Sequence, residues 1–362
     1  MSTTLTATDA ATALSERLFS DLVTMTEILA LHLGGELDLF DALADESLTP
    51  GELADRAGIH PRYAREWLEQ LAVAGFVTCD NPDDPADARR FGLTPVVAEV
   101  FLDTTSPAYA RPLIQMAGGF AAVIRDVVHA YRTGGGVPYH AYGHEVRHGL
   151  GEMNGAYYDE ALPGWIASQG DVDHLLRTHE QPRILDLGSG VGRSSMALAR
   201  AYPKALVRGV DLDGASVTEA REAAAGAGLA HRVTFVEGDA ATVDDSERYH
   251  LVTILEALHD MGDPIGALWQ ARQVLEPGGA VIVMDERCED HFRPDGDLVE
   301  RFLYGASALH CLPATMAEEP VLANGTLLRA PVVEAWAGAA GFGGATVLPI
   351  ETEFWRLYRL DI

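Results

Sequence analysis

The chain has 362 residues, 48% of them hydrophobic, which is enough for two domains with their own cores. Acidic residues outnumber basic ones 54 to 26, for a formal charge of −28, and so negative a surface argues against nucleic acid and anionic membranes as partners. There is no run of about 20 apolar residues to span a membrane and no basic-then-apolar N-terminal pattern, so neither a span nor a signal peptide is expected.

Residues 1–12 are small and polar and are expected to be mobile. Residues 16–33 place Leu18, Leu22, Met25, Leu29 and Leu33 at helical spacing, and residues 37–43 read as a short helix. Residues 49–58 open on Thr49-Pro50 with Glu52 in the first turn, a helix start. Gly58-Ile59-His60-Pro61 is a turn and residues 62–74 are a second helix. A strand begins at Gly75-Phe76-Val77, a polar loop covers residues 81–90, and Phe91-Gly92-Leu93-Thr94-Pro95 returns. Helix, turn, helix and a two-stranded wing make a winged-helix pattern, assigned to residues 1–105. Its second helix carries Arg62 and Arg65 but also Glu66 and Glu69. The domain is therefore read as a dimerisation module, with Trp67, Leu68, Leu71 and Phe76 in its core, in preference to a DNA reader. Cys79, Cys288 and Cys311 are too few and scattered for a disulfide framework or a cysteine-rich zinc site, so a reducing cytoplasm is expected.

Residues 106–178 are helical patterns broken by Gly134-Gly135-Gly136, read as a linker and substrate cap. His140, His144 and His148 recur every four residues, and His144-Glu145-Val146-Arg147-His148 matches H-E-x-x-H, in which two histidines on one helix face bind zinc. Glycines 143 and 149 flank the match and the sequence offers no further ligand, so it is read as a polar surface and no metal is expected. Residues 153–166, with Tyr157, Tyr158 and Trp165, read as one helix whose aromatics pack in a core.

Strands are expected at residues 184–186, 206–211, 233–236, 251–255, 280–285, 345–350 and 353–359, alternating with helices. This is the signature of an α/β domain over residues 179–362, with a seven-stranded, mostly parallel sheet. Ligands bind such sheets beyond the carboxyl ends of the strands. The first strand runs into Asp186-Leu187-Gly188-Ser189-Gly190-Val191-Gly192. Glycines there let the backbone approach a ligand and leave N–H groups of the next helix free to bind it. A dinucleotide site would want G-x-G-x-x-G, whose third glycine would fall at Arg193. The spacing here is G-x-G-x-G, behind an acid that would repel a pyrophosphate and attract a cationic head such as the amino group of S-adenosylmethionine (SAM). Asp211 ends the second strand about 20 residues on, where an acid can accept both ribose hydroxyls. Asp239, in Glu237-Gly238-Asp239-Ala240, ends the third and can accept from the exocyclic amine of adenine.

In this order and spacing these residues resemble the class I SAM-dependent methyltransferases, whose fold is Rossmann-like, and Leu275-Glu276-Pro277-Gly278-Gly279 resembles a further motif of that family. The resemblance implies that Asp186 lies near the methionine amine and that Gly188, Gly190 and Gly192 line the methionine portion. It further implies that Asp211 serves the ribose and Asp239 the adenine, with Ser189, Leu212, Gly238 and Ala240 also in the cofactor site. Leu255-Glu256-Ala257-Leu258-His259-Asp260-Met261-Gly262-Asp263-Pro264 follows the fourth strand. With the winged helix, it resembles the small-molecule O-methyltransferases of plants and actinobacteria, although Met261-Gly262 stands where tryptophan and a polar residue are usual. That resemblance implies a catalytic pair His259–Asp260 with His259 as general base. A neutral imidazole has the right pKa to take a proton from a phenol near pH 7; a helix-capping or packing role is the alternative. Glu256 is placed to face the methionine amine or the substrate.

The C-terminal third, including Asp285-Glu286, residues 300–313, Gly325-Thr326 and residues 350–360, resembles a group of uncharacterised actinobacterial winged-helix methyltransferases. An insertion at about residues 287–330 is positioned to roof the active site. In it Tyr304, Ser307, His310 and Cys311 have roughly helical spacing, which makes either a polar pocket wall or an interface helix. His310 is a second candidate base and Glu286 a further substrate-binding candidate. The expected activity is methyl transfer from SAM to a small molecule, at a hydroxyl oxygen, by a homodimer that releases S-adenosylhomocysteine. Methylation at carbon or nitrogen, a cyclisation or rearrangement on the same fold, and a ligand-sensing regulator are the competing readings.

Overall fold

The structure is a computed structural model that describes residues 7–106, 108–243 and 246–362. Of the tail expected over residues 1–12, residues 1–6 lie outside the described residues, and α1 (Ala7–Glu36) already opens at Ala7. The chain divides into two compact units, one through Gly118 and one from Gly119.

The first unit contains α1, α2 (Leu39–Ala42), α3 (Pro50–Ala57), α4 (Pro61–Val73), β1 (Val77–Cys79), β2 (Phe91–Leu93), α5 (Pro95–Leu102) and the start of α6 (Arg111–Ala122). Thr49 and Glu52 form a capping box on α3: the Thr49 hydroxyl accepts from the Glu52 N–H and the Glu52 carboxylate accepts from the Thr49 N–H. Gly58, at φ +68°, ends that helix in a conformation that glycine adopts without strain. β1 and β2 pair antiparallel as the expected wing. Trp67, Leu68 and Leu71 are buried with Leu39, Phe40, Leu53 and Phe91, and Phe76 packs against them. The stripe expected on the first helix faces away from this core: Leu18, Leu22, Met25 and Leu33 are exposed.

The second unit opens with α7 (Ile124–Thr133), α8 (Gly143–Glu160), α9 (Leu162–Ala167) and α10 (Gly170–Thr178). The single helix expected over residues 153–166 breaks at Ala161, because Pro163 has no N–H to continue the ladder. Leu162, Ile166, Val172 and Leu176 share one core with the sheet, so α9 and α10 pack as part of the sheet domain, whereas Val127 and Ala130 of α7 and Val146 of α8 form a cluster of their own. Tyr158 enters that core and Trp165 packs on it, while Tyr157 is exposed, edge-on to Trp355.

The alternation continues with β3 (Arg183–Leu187), α11 (Arg193–Ala201), β4 (Leu206–Asp211), α12 (Gly214–Gly226), β5 (Val233–Glu237), β6 (Tyr249–Leu255), α13 (Pro264–Gln273) and β7 (Leu275–Glu286). After α14 (Leu298–Ala306), α15 (Leu312–Met316) and α16 (Ala330–Ala339) come β8 (Gly344–Val347) and β9 (Trp355–Asp361). The seven strands lie in the order β5-β4-β3-β6-β7-β9-β8, parallel except for β9. β8 is shorter than the expected 345–350. β7 already begins at Leu275, so the Leu275–Gly279 motif enters the sheet itself, with a register shift between Tyr249 and Leu251 opposite. Successive residues of β3 serve opposite faces, Ile184 one core and Leu185 the other. From β3 the chain runs outward to β5 and then returns to β6 on the other side. The switch point is therefore the crevice between the carboxyl ends of β3 and β6. Among the described residues no single helix is long and apolar enough to cross a membrane; α6 and α7 pass that test only together, across a 55° bend.

Candidate active site

The turn after β3 takes a conformation that suits glycine. Gly188, Gly190 and Gly192 have φ of +75°, +50° and +81°. A Cβ on Gly188 would sit 2.3 Å from that of Ala257, so the β3 turn packs directly on the end of β6, whereas a Cβ on Gly190 would meet open space. Asp211 holds the turn from β4: its carboxylate accepts from the Gly190 N–H at 2.7 Å and from the Asp213 N–H at 2.9 Å. Burial pushes its pKa up to about 6 against those bonds. The Ser189 hydroxyl is buried without a hydrogen-bond partner among the described residues. Leu212 and Asp239 are exposed at the neighbouring strand ends, and the Gly238 N–H donates to the Asp211 carbonyl. Ala240 packs its methyl into the core. A backbone cradle with open space, an unpaired hydroxyl and two strand-end acids fit a nucleoside carrying an amino-acid tail.

Asp186 departs from its expected place. It has no exposed surface, and both carboxylate oxygens are taken by hydroxyls: Ser194 and Ser195 at 2.6 Å and Thr253 at 2.8 Å. Burial raises its pKa despite them. It ties β3 to α11 and β6 and shapes the turn from beneath, leaving no oxygen turned outward to a methionine amine.

His259 lies on a short 3₁₀ turn after β6 and is 4% exposed. Its Nδ1 is 2.9 Å from Asp285 Oδ1, and its Nε2 is 3.3 Å from Asp260 Oδ1. The other Asp285 oxygen accepts the His259 backbone N–H. Burial alone would lower the imidazole pKa, but the charges of Asp260 and Asp285 raise it well above 6.5. The neutral ring expected from sequence is thus held against the pull of two carboxylates, which favour its protonated form. His310 is the opposite case. Burial lowers it to about 4, and its Nε2 has no partner among the described residues. Phe120, Tyr139 and Tyr142 surround it at ring-centre distances of 5.7, 5.5 and 4.6 Å.

Glu256, at φ +55°, accepts from the Asn154 amide and the Trp355 indole. It also shares a hydrogen bond with Glu286, and burial raises both carboxyls. Two carboxyls so close disfavour charge on both at once. Both therefore lie beside His259, at the ends of β6 and β7, as the sequence suggests.

The proposed wall of Tyr304, Ser307, His310 and Cys311 does not form. Ser307–Cys311 is a π-helical turn, which breaks the 3.6-residue period. His310 and Cys311 turn inward, with Cys311 hydrogen-bonding toward His259. The Ser307 hydroxyl accepts the Thr326 N–H. Tyr304 is 40% exposed and its hydroxyl accepts from Arg329. Three residues escaped the sequence reading as site members. Asp285 is the brace of His259. The Tyr139 hydroxyl, raised by burial, feels the charges of Asp211 and Asp260. Glu318 is pushed up to about 7 by enclosure and by Asp260, Asp239 and Asp211. Only Asp285 left a signal, as an acid ending a strand.

Residues 184–279 match a methyltransferase domain and residues 26–89 an Rv2258c-like winged HTH domain. The chain is 30% identical over 276 residues to the tetracenomycin polyketide synthesis 8-O-methyl transferase TcmO of Streptomyces glaucescens, covering 73% of this chain and 76% of that protein. It is 25% identical to the aclacinomycin 10-hydroxylase RdmB of Streptomyces purpurascens, over 79% of this chain and 75% of that one. Among solved structures, the mitomycin 7-O-methyltransferase MmcR superposes with a TM-score of 0.68 at 20% identity, over 98% of this chain and 99% of that chain.

Proposed function

The chain belongs to the SAM-dependent small-molecule O-methyltransferases with an N-terminal winged-helix domain, and on that footing we propose that it methylates an aromatic hydroxyl, with His259 taking the acceptor's proton. SAM supplies an electrophilic methyl group on a sulfonium. Gly188, Ser189, Gly190 and Gly192 would hold its amino-acid tail and Asp211 its ribose, with Leu212, Gly238, Asp239 and Ala240 around the adenine. The observation that carries the proposal is the Asp285–His259–Asp260 array at the carboxyl end of β6, against the glycine turn of β3. Phe120, Tyr139 and Tyr142 around His310 support a flat aromatic acceptor, as does the polyketide pathway named for TcmO.

Asp260 and Asp285 favour a proton on His259 that must leave before the ring can accept one, and a cation in the adjoining cleft favours that loss. Asp285 then keeps the Nδ1 proton, leaving Nε2 as the acceptor. The base-competent ring is the neutral one, populated above its pKa, so kcat/KM rises with pH along a limb above 6.5. Asp285→Asn removes one raising charge and moves that limb to lower pH, by roughly one unit. A limb that stays in place in this variant would remove His259 from the role.

The partner chain we propose is a second copy. Leu18, Phe19, Leu22 and Met25 of α1 are 50–69% exposed, a continuous apolar face of the kind that marks protein contacts. Light scattering of the full chain should give two copies, and Leu18→Glu with Leu22→Glu should give one; a monomeric wild-type chain would end the proposal. Arg62, Arg65, Arg89 and Arg90 all pair with acids of their own domain, which supports assembly over DNA binding. Free Cys79, Cys288 and Cys311 fit the cytoplasm as the compartment.

A further inference from the structure

The H-E-x-x-H stretch lies at the start of α8 and takes no part in the His259 array, with His144 exposed and His148 half-buried. The histidines are one helical turn apart, and their rings stack at 4.7 Å and 24°. Their sequence context lacks a third ligand, and Glu219 of α12 provides it. Its carboxylate is 3.4 Å from His148 Nδ1, and one ligand atom from each of the three side chains falls within 4.8 Å of the others. Tetrahedral zinc with bonds of about 2.0–2.2 Å separates its ligand atoms by about 3.3–3.6 Å. The His148–Glu219 spacing is already such an edge. The two helices are held in register by Arg147, whose Nε donates to Asp213 at 2.9 Å, in a pair only 13% and 12% exposed. Asp213 is itself the N-cap of α12.

We propose that His144, His148 and Glu219 bind a divalent transition-metal ion of the zinc class, tying helix α8 to helix α12. Two imidazoles and a carboxylate suit zinc, and the exposure of His144 leaves the fourth position to water. Because Asp213 follows Asp211 by two residues, the ion would brace the edge of the cofactor cleft. An ion that binds the folded chain stabilises it by mass action.

The competing donor set is His259, Asp260 and Cys311, inside the catalytic array. Calorimetric titration of the untagged full chain with Zn2+ separates the two. The expected result is one ion per chain, a Tm that rises with Zn2+, affinity at least tenfold weaker in His148→Ala and in Glu219→Gln, and no change in Cys311→Ser. Circular dichroism of each variant without metal reports whether it is folded, and Glu219→Gln, an isosteric change on a half-exposed side chain, keeps the test open if His148→Ala is not. Cobalt(II) in place of zinc should give a spectrum without a thiolate band. Absence of binding to the wild type, or binding that survives both α8–α12 variants and is lost in Cys311→Ser, overturns the proposal.

Discussion

His259→Ala should cut turnover by about 100-fold or more while leaving SAM affinity intact. That loss is about 2.7 kcal/mol of transition-state stabilisation. The expectation rests on how the ring is held: Asp285 fixes Nδ1 at 2.9 Å and also accepts the His259 backbone N–H, so the imidazole has one orientation. None of its hydrogen bonds reaches the glycine turn or Asp211, so losing the ring should not weaken cofactor binding. Turnover at the wild-type level would transfer the role to His310. That ring is neutral near pH 7 because burial lowers its pKa to about 4, and its Nε2 is unpartnered among the described residues. The same low pKa makes it a weak base, which is why His259 ranks first. His310→Ala should keep the wild-type pH dependence, since only His259 sets a limb above 6.5.

Asp211→Ala should weaken SAM binding by about 1–3 kcal/mol, or roughly 5- to 150-fold. The carboxylate has two tasks in the structure. It accepts the Gly190 N–H, which sets the glycine turn, and it stands at the end of β4 where a ribose diol would meet it. Deleting it removes an acceptor and frees a loop whose conformation depends on that acceptor. Asp211→Asn, which retains a carbonyl oxygen, should lose less than the alanine variant. Unchanged affinity in Asp211→Ala, measured by calorimetry, would mean the nucleoside lies elsewhere.

The parts of this protein legible in its sequence are those fixed by local chemistry. Gly188, Gly190 and Gly192 announce a turn because glycine adopts positive φ without strain, and Asp211 and Asp239 announce strand ends by following apolar runs. The winged helix was readable for the same reason, from Thr49-Pro50, Gly58 and Pro61. What escaped depends on residues distant in the chain. Beside the adjacent Asp260, the raised pKa of His259 depends on Asp285, 26 residues away. Asp186 reads as a ligand-facing acid until Thr253 of β6 and the α11 serines are seen to consume it. The π turn at Ser307–Cys311 defeats a 3.6-residue reading of its faces, and Glu219 completes a histidine pair that the sequence leaves two-coordinate.

One experiment bears on methyl transfer itself: the purified chain is incubated with SAM and a set of phenolic polyketide-like acceptors, and S-adenosylhomocysteine and methylated product are quantified together. The structure and its relatives predict equal amounts of the two, with both falling together in His259→Ala. Conversion of an acceptor without S-adenosylhomocysteine would contradict methyl transfer and place the chain with the hydroxylase among its relatives.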